Sequence, residues 1–228
     1  MLSEHAVFLY GPDTVWNLFY PNQQSGDFTV SATKTASTAP SATRTNPTCL
    51  PDSDLLAFRA VFQIRNPMLM VPSMVRAAKA TPLPYDIKFD PCLSLRYSRE
   101  LFDWYQSQAS TTSSLSSASA SLVIDADDIM KRPEVVEKMC RLVGLDADAL
   151  QYSWGTEQEA HPVKSRFKST INSSTGIVPG LDSGSMELET ERVKWIEELG
   201  DDEGTLLYDA VVKAMPDYYY LKSKCLTI

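Results

Sequence analysis

Arg65 and Ser73 lie on either side of a predicted helix start, and their side chains suit anion binding. Arg65 directly follows the apolar run Val61–Ile64, and Asn66-Pro67 then opens a helix. In a parallel α/β sheet, ligands sit beyond the carboxyl ends of strands and near helix N-termini. An arginine there is a permanent, forked cation for a phosphate, and the N–H groups of the first helical turn add further donors.

Ser73 follows Pro67 by six residues, which is less than two helical turns. In one interpretation its hydroxyl faces back toward the same pocket as Arg65. In the other, Arg65 caps strand carbonyls, and Ser73 donates a hydrogen bond to the carbonyl oxygen four residues before it. Residue types and spacing leave the two interpretations open.

The segment Ser173–Gly176 is a second candidate for contact with a phosphate. Its Ser-Ser-Thr-Gly residues are small and polar, and the glycine lets the backbone approach a ligand closely. A plain turn is the equal alternative. Lys164, Arg166 and Lys168 precede the segment, and they either add positive charge to a site or form a solvated face.

Aspartates and cysteines give little support for a metal site. Asp125, Asp127 and Asp128 follow a short apolar run, where carboxylates most often cap the next helical turn. The four cysteines lie far apart without C-x-x-C spacing, and the chain has only two histidines. We therefore expect no metal, free thiols and a reducing, cytoplasmic location.

The elements that must position these residues alternate between strand and helix patterns. Apolar runs that end at Ile64 and Ile124 predict buried strands, and Asp125–Asp128 follows as a polar turn. Apolar spacing and cap residues predict helices at Pro67–Ala80 with a kink at Pro72, around Tyr97–Tyr105, from Pro133 to Gly144, at Glu187–Leu199, and at Thr205–Met215, where Pro216 ends the helix. The alternation predicts an α/β fold in three layers, with a mostly parallel sheet flanked by helices.

Composition indicates one globular domain that spans residues 1–228. Its 43% apolar and 22% charged content is ordinary for a soluble protein. Two Ser/Thr/Ala-rich segments, at about residues 25–45 and 107–121, are predicted to be flexible insertions because they lack large apolar residues. The net charge of −8 argues against nucleic-acid and anionic-membrane partners, and no apolar run is long enough to span a membrane.

Longer stretches of the chain together resemble one family. In order along the chain they are NPTCLPDSDLLAFRAVFQIRNP (Asn46–Pro67), LVIDADDIMKRPEVVEKMCRLVGLDADALQYSW (Leu122–Trp154), STINSSTGIVPG and KAMPDYYYL. This ordered set resembles the fungal P-loop sulfotransferase-like family, within the superfamily of P-loop containing nucleoside triphosphate hydrolases. The resemblance covers most of the chain outside the Ser/Thr-rich segments, and it implies a P-loop sulfotransferase-like fold.

The resemblance also implies a reaction and a donor site. The donor would be 3′-phosphoadenosine-5′-phosphosulfate, a co-substrate used without a metal, and the acceptor a hydroxyl of a small, secondary-metabolite-like molecule. Arg65 and Ser73 would hold the 3′-phosphate of the donor. Ser174, Thr175 and Gly176 would complete the donor site.

His5 is the general base that the resemblance implies, since a histidine can take the proton of an acceptor hydroxyl near neutral pH. The family often has Lys-Glu-His where this chain has Ser3-Glu4-His5, so a lysine that could steady the transferring group is replaced by Ser3. An N-terminal histidine without a role is the alternative.

Family members carry a strand and a phosphosulfate-binding loop ahead of the Glu-His pair, whereas no Gly-rich or basic loop precedes His5 in this sequence. We therefore expect the N-terminal strand and the loop for the reactive end of the donor to be missing. A sheet without that strand exposes edges, which predicts poor solubility or a homodimer. The alternative function is a truncated or degenerate family member that acts as a non-catalytic accessory or nucleotide-binding protein.

Overall fold

The computed structural model describes residues 6–10, 44–82, 84–111, 121–156 and 160–228. His5 and most of the two Ser/Thr-rich segments lie outside these residues. Within them, the α-helices in chain order are α1 (Asp52–Leu56), α2 (Pro67–Lys79), α3 (Arg96–Thr111), α4 (Ala126–Lys131), α5 (Pro133–Val143), α6 (Pro162–Phe167), α7 (Ser169–Asn172), α8 (Leu188–Leu199) and α9 (Asp201–Lys222). The strands are β1 (Val61–Ile64) and β2 (Leu122–Asp125), and short 3-10 helices cover Ala6–Leu9, Ile87–Phe89, Pro91–Leu93 and Ala147–Ala149.

Contacts divide the chain into two compact units. The first consists of Met1–Ala60 and Tyr97–Ser121, and the second of Val61–Arg96 and Leu122–Ile228. The first unit contains α1 and nearly all of α3, while the second contains both strands and the other α-helices. The prediction that the whole chain forms one domain stays a prediction.

In the second unit, β1 and β2 form a parallel pair. Ile64 is in register with Asp125, so both strands end at the same edge, which we call the carboxyl edge. The C-terminal tail extends this pairing, because the N–H of Leu226 donates to the carbonyl oxygen of Val123 at 2.9 Å. The fold is therefore α/β, with a small parallel sheet flanked by helices.

Helix starts and stops follow the predicted cap residues. Asn66 accepts the Met68 N–H at 2.9 Å through its side chain, and Pro67 is the first residue of α2. Pro133 opens α5, and Gly144 ends it in a left-handed conformation with φ of 78°. Asn66 acts through its side chain and the other three through their backbone geometry, and the sequence predictions for them are confirmed.

The core of the second unit lies between α2, α8 and α9. Helices α8 and α9 pack against each other, and α9 also contacts α2 and both strands. Val71 and Val75 of α2, Trp195 of α8, and Leu207 and Val211 of α9 are all buried. Burying a side chain of this size contributes about 1.5–3 kcal/mol. This packing holds the junction between β1 and α2 in place.

In the first unit, Asp52 organises the stretch before α1. Its carboxylate accepts hydrogen bonds from the backbone N–H groups of Thr45 and Asn46, and from the Asn46 side chain at 2.6 Å. The Asn46 side-chain oxygen in turn accepts the N–H of Thr48 at 2.7 Å. Burial opposes ionisation, but the hydrogen bonds from Asn46 and Thr45 hold the pKa of Asp52 below its ordinary value. The Asn-Pro-Thr stretch therefore has a structural role here.

Two predictions at helix ends were wrong. Helix α9 does not end at Pro216 but continues to Lys222. A proline removes one backbone hydrogen bond, and the burial of Tyr218 and Leu221 in the following turns outweighs that loss. Asp125–Asp128 does not form a turn either, because α4 begins directly after Asp125.

Helix α3 is longer than its apolar pattern predicts. It continues through residues 107–111, which open the second Ser/Thr-rich segment and were predicted to be an insertion. Elongating an existing helix by serine and alanine costs little, and the buried Leu101, Trp104 and Tyr105 anchor the preceding turns. The rest of that segment, residues 112–120, lies outside the described residues.

Candidate functional site

Arg65 leaves β1 at the carboxyl edge, where the sequence places it. Its guanidinium Nη2 donates to the carbonyl oxygen of Leu181 at 3.4 Å. Within the described residues this is the hydrogen bond that Arg65 forms, and no carboxylate pairs with it there. A guanidinium carries five N–H donors, so most of them remain for a ligand. Arg65 is thus a cation with unused donors at the edge where α/β sheets bind ligands.

The first turn of α2 offers no such donors in the described structure. Pro67 lacks an N–H, the Met68 N–H donates to the Asn66 side chain, and the next two N–H groups donate to the Asn66 carbonyl oxygen at 2.9 Å. The asparagine cap therefore satisfies the donors that a helix start normally leaves open. The prediction that free N–H groups of this turn assist Arg65 was wrong, because the Asn66 cap already binds them.

Ser73 lies exposed on α2, the helix that Arg65 precedes. Among the described residues its hydroxyl forms no hydrogen bond, either with Arg65 or with the carbonyl oxygen of Leu69. Helix α6 packs against α2 and carries the exposed Lys164 and Arg166. The Ser73 hydroxyl is therefore open to a ligand, and it lies on a helix that packs against a basic one.

The segment Ser173–Gly176 is held by the chain around Trp154. The Trp154 N–H donates to the Thr175 carbonyl oxygen at 3.0 Å, and Ser153 and Gly176 form an antiparallel bridge. A Cβ on Gly176 would lie 3.1 Å from the carbonyl oxygen of Tyr152, so this pairing favours glycine. Within the described residues no hydrogen bond links the segment to Arg65 or Ser73. Its role in a donor site stays a prediction.

The aspartates at the end of β2 and in the first turn of α4 form a helix cap and ion pairs. Asp125 is buried, and its side chain accepts the Asp127 N–H at 2.9 Å as the cap of α4, which confirms the capping prediction. Lys222 of α9 lies 2.8 Å from Asp125 and 3.7 Å from Asp128. Arg132 pairs with Asp128 at 2.6 Å. In the described parts of the chain, no group of three or more His, Cys, Asp or Glu side chains could hold a metal ion.

The buried contacts of Asp125 also change the acidity of its partners on α9. Burial, followed by the hydrogen bond to Asp125, raises the pKa of Tyr218 well above its ordinary value. Burial lowers the pKa of Lys222, but its hydrogen bond and ion pairs with Asp125 and Asp128 outweigh this and raise it. Lys222 therefore stays protonated and pairs with Asp125 and Asp128, whereas Arg65 has no carboxylate partner among the described residues.

Sequence reasoning missed the loop that covers the carboxyl edge. Asp127 accepts the N–H of Ser183 at 3.1 Å and also its hydroxyl, and Lys131 pairs with Asp182 at 2.5 Å. The hydrogen bond between Lys131 and Asp182 raises the pKa of the lysine and lowers that of the aspartate. These contacts join residues about fifty positions apart, so no local pattern signals them.

The second histidine and the cysteines have structural surroundings. His161 caps α6 by accepting the N–H groups of Val163 and Lys164 at 3.3 and 3.4 Å. All four cysteines are free thiols, as predicted, and burial raises the pKa of Cys225 to about 11. Among the described helices, none is both long and apolar enough to cross a membrane.

Comparison with known proteins gives two relatives, both named Sulfotransferase ppzF. The protein of Metarhizium rileyi (strain RCEF 4871) is 31% identical over 190 residues, which cover 78% of this chain and 56% of the relative. The protein of Metarhizium majus (strain ARSEF 297) is 30% identical over 190 residues, with the same coverage of 78% and 56%. The chain thus spans about half the length of the curated relatives it matches. No protein-family model and no solved structure matches the chain. The two similarities support a sulfotransferase-like family for this protein.

Proposed function

We propose that the protein binds 3′-phosphoadenosine-5′-phosphosulfate and takes part in transfer of its sulfuryl group to a hydroxyl of a small acceptor. The observation that carries this proposal is Arg65, a cation without a carboxylate partner among the described residues, at the carboxyl edge of the parallel strands. The similarity to two sulfotransferases suggests that the ligand of Arg65 is a phosphate of the sulfuryl donor.

In this proposal, Arg65 and Ser73 hold the 3′-phosphate of the donor. The guanidinium supplies charge and paired N–H donors, which suit phosphate geometry. The Ser73 hydroxyl supplies one more donor from α2, and the exposed basic residues of α6 lie on a helix that packs against it. Ser174, Thr175 and Gly176 are proposed to contact the donor elsewhere, through backbone and hydroxyl groups.

The proposed chemistry needs a proton acceptor. In sulfuryl transfer, the acceptor oxygen forms a bond to sulfur, the bond from sulfur to the phosphate oxygen breaks, and the hydroxyl proton goes to a base. His5 is the candidate for that base, and it lies outside the described residues. The parallel pair flanked by helices agrees with the wider three-layer P-loop fold that we propose for the family, and the free thiols agree with a cytoplasmic location.

Arg65→Ala is expected to weaken binding of 3′-phosphoadenosine-5′-phosphate, the desulfated donor, by about ten- to a hundredfold. Hydrogen bonds to charged groups contribute about 1.5–3 kcal/mol, which corresponds to that range. Isothermal titration calorimetry on the wild type and the variant measures the change. Arg65→Lys keeps the positive charge but loses the paired N–H donors of the guanidinium. Its affinity for the nucleotide is therefore expected to lie between those of the wild type and Arg65→Ala.

Arg141→Ala is the matched control. Arg141 is an exposed arginine on α5 whose partner is Glu137 of the same helix, so its removal changes net charge equally without affecting the carboxyl edge. Absence of binding by the wild type at millimolar nucleotide would contradict the proposal, and so would equal losses in Arg65→Ala and Arg141→Ala.

Transfer of labelled sulfate from the donor separates an enzyme from a nucleotide-binding protein. Labelled sulfate that appears on a hydroxyl acceptor supports catalysis. Nucleotide binding that depends on Arg65, without transfer to any of a panel of phenolic and alcoholic acceptors, supports the non-catalytic alternative.

A further inference from the structure

The segment Gly180–Gly184, here called the clasp loop, lies across the carboxyl edge. Gly180 and Gly184 flank it with φ of 79° and 38°, values that favour glycine and allow a tight turn. The Leu181 carbonyl oxygen accepts from Arg65 at 3.4 Å, and Ser183 binds Asp127. The loop thus contacts the residue after β1 and the helix after β2.

Helix α4 holds the clasp loop at two points. The two carboxylate oxygens of Asp127 accept the Ser183 N–H at 3.1 and 3.2 Å, and the carboxylate also accepts the Ser183 hydroxyl. One helical turn further on, Lys131 pairs with Asp182, whose carboxylate also accepts the Gly184 N–H at 2.9 Å. Three donors and one ion pair therefore determine where the loop backbone lies.

This anchoring has a consequence for Arg65. A long arginine side chain loses rotamer entropy when it binds a ligand, unless another contact has already oriented it. Within the described residues the contact that orients Arg65 is the Leu181 carbonyl oxygen. That carbonyl is in turn positioned by the bond between Ser183 and Asp127.

We infer that Asp127 is a positioning residue for anion binding at Arg65. Asp127 holds the clasp loop, and the clasp loop orients the guanidinium toward the site of the anion. The inference rests on the proposed function, because it takes the anion to be the 3′-phosphate of the donor. The inference gives the Asp127 carboxylate, in the first turn of α4, a role in ligand binding.

A double-mutant cycle tests the inference, with 3′-phosphoadenosine-5′-phosphate as the probe in titration calorimetry. Asp127→Asn keeps the shape of the side chain but replaces one acceptor oxygen with a donor. It is expected to weaken binding about three- to tenfold in the wild-type background, the loss expected for one hydrogen-bonded contact. The Arg65→Lys background lacks the guanidinium that the clasp loop orients. There, Asp127→Asn is expected to alter nucleotide affinity less than about twofold.

Glu134→Gln is the matched control, since Glu134 is an acidic residue in the first turn of α5 and lies outside the clasp. It is expected to leave nucleotide affinity unchanged in both backgrounds. Thermal melting verifies that each variant is folded. If Asp127→Asn does not fold, Ser183→Ala removes one donor of the same contact, and the same pattern is expected for it.

The results of these titrations distinguish failure of the proposed function from failure of the inference about Asp127. Absence of nucleotide binding by the wild type overturns the proposed function and this inference together. Wild-type binding that depends on Arg65 but not on Asp127 overturns the inference alone. Equal weakening by Asp127→Asn in both backgrounds also overturns it, because such additivity indicates a general structural role rather than action through Arg65.

Discussion

Replacing Asp125 by alanine is expected to lower the free energy of unfolding by about 2–4 kcal/mol, because a buried hydroxyl loses its acceptor and a partly exposed lysine loses its ion-pair partner. Asp125 is buried at the end of β2, where it accepts the Tyr218 hydroxyl at 2.8 Å and pairs with Lys222 at 2.8 Å. Alanine leaves the Tyr218 hydroxyl without that acceptor and removes the nearest carboxylate from Lys222. It also removes the cap of α4, a contact worth about 1 kcal/mol.

Urea-induced unfolding measures the effect of Asp125→Ala. Asp125→Asn keeps an oxygen acceptor for the helix cap but removes the charge that pairs with Lys222. Its loss in free energy of unfolding is therefore expected to be smaller than that of Asp125→Ala. Asp148→Ala removes an exposed aspartate and is expected to stay within about 0.5 kcal/mol of the wild type. An alanine variant as stable as the Asp148 control would show that the Asp125 contacts do not hold α9 to β2.

Gly204→Ala is expected to destabilise the protein by about 3 kcal/mol, although alanine normally stabilises a helix by about 1 kcal/mol relative to glycine. A Cβ on Gly204 of α9 would lie 2.7 Å from Ile196 Cα and 2.9 Å from the Trp195 carbonyl oxygen of α8. These are backbone atoms, which cannot rotate out of the way. The two helices must therefore separate, and the buried Trp195 loses contact area.

Helix propensity and close packing predict opposite signs for the stability change of Gly204→Ala, so the measured sign distinguishes them. Gly155→Ala is the matched control, because a Cβ there meets nothing within 4 Å. Urea unfolding is expected to show a large loss for Gly204→Ala and almost none for Gly155→Ala. Stabilisation by Gly204→Ala would contradict the close packing of α8 against α9.

Features determined by neighbouring residues could be predicted from the sequence. Pro67, Pro133 and Gly144 place helix ends through their backbone preferences and Asn66 through its side-chain cap, and the structure confirms them. The position of Arg65 at a strand end follows from the same local pattern. Such features need no knowledge of the rest of the fold.

Features determined by distant contacts could not be predicted in this way. The continuation of α9 past Pro216 depends on burial of Tyr218, whose hydroxyl bonds to Asp125 across 93 positions of the chain. The clasp loop depends on the bond between Asp127 and Ser183, 56 positions apart. Local periodicity carries no information about either contact, so the residues that support the candidate site emerged only from the structure.

The central claim is that Arg65 recognises the 3′-phosphate of the donor nucleotide. The measurement that tests it most directly compares two ligands, 3′-phosphoadenosine-5′-phosphate and adenosine 5′-phosphate, on the wild type and on Arg65→Ala by titration calorimetry. The wild type is expected to bind the bisphosphate at least about tenfold more tightly, since the 3′-phosphate forms charged hydrogen bonds. In Arg65→Ala this preference is expected to fall at least about fivefold, because only the Ser73 hydroxyl remains of the two side chains proposed to hold the 3′-phosphate. The same preference for the bisphosphate in both proteins would contradict the claim.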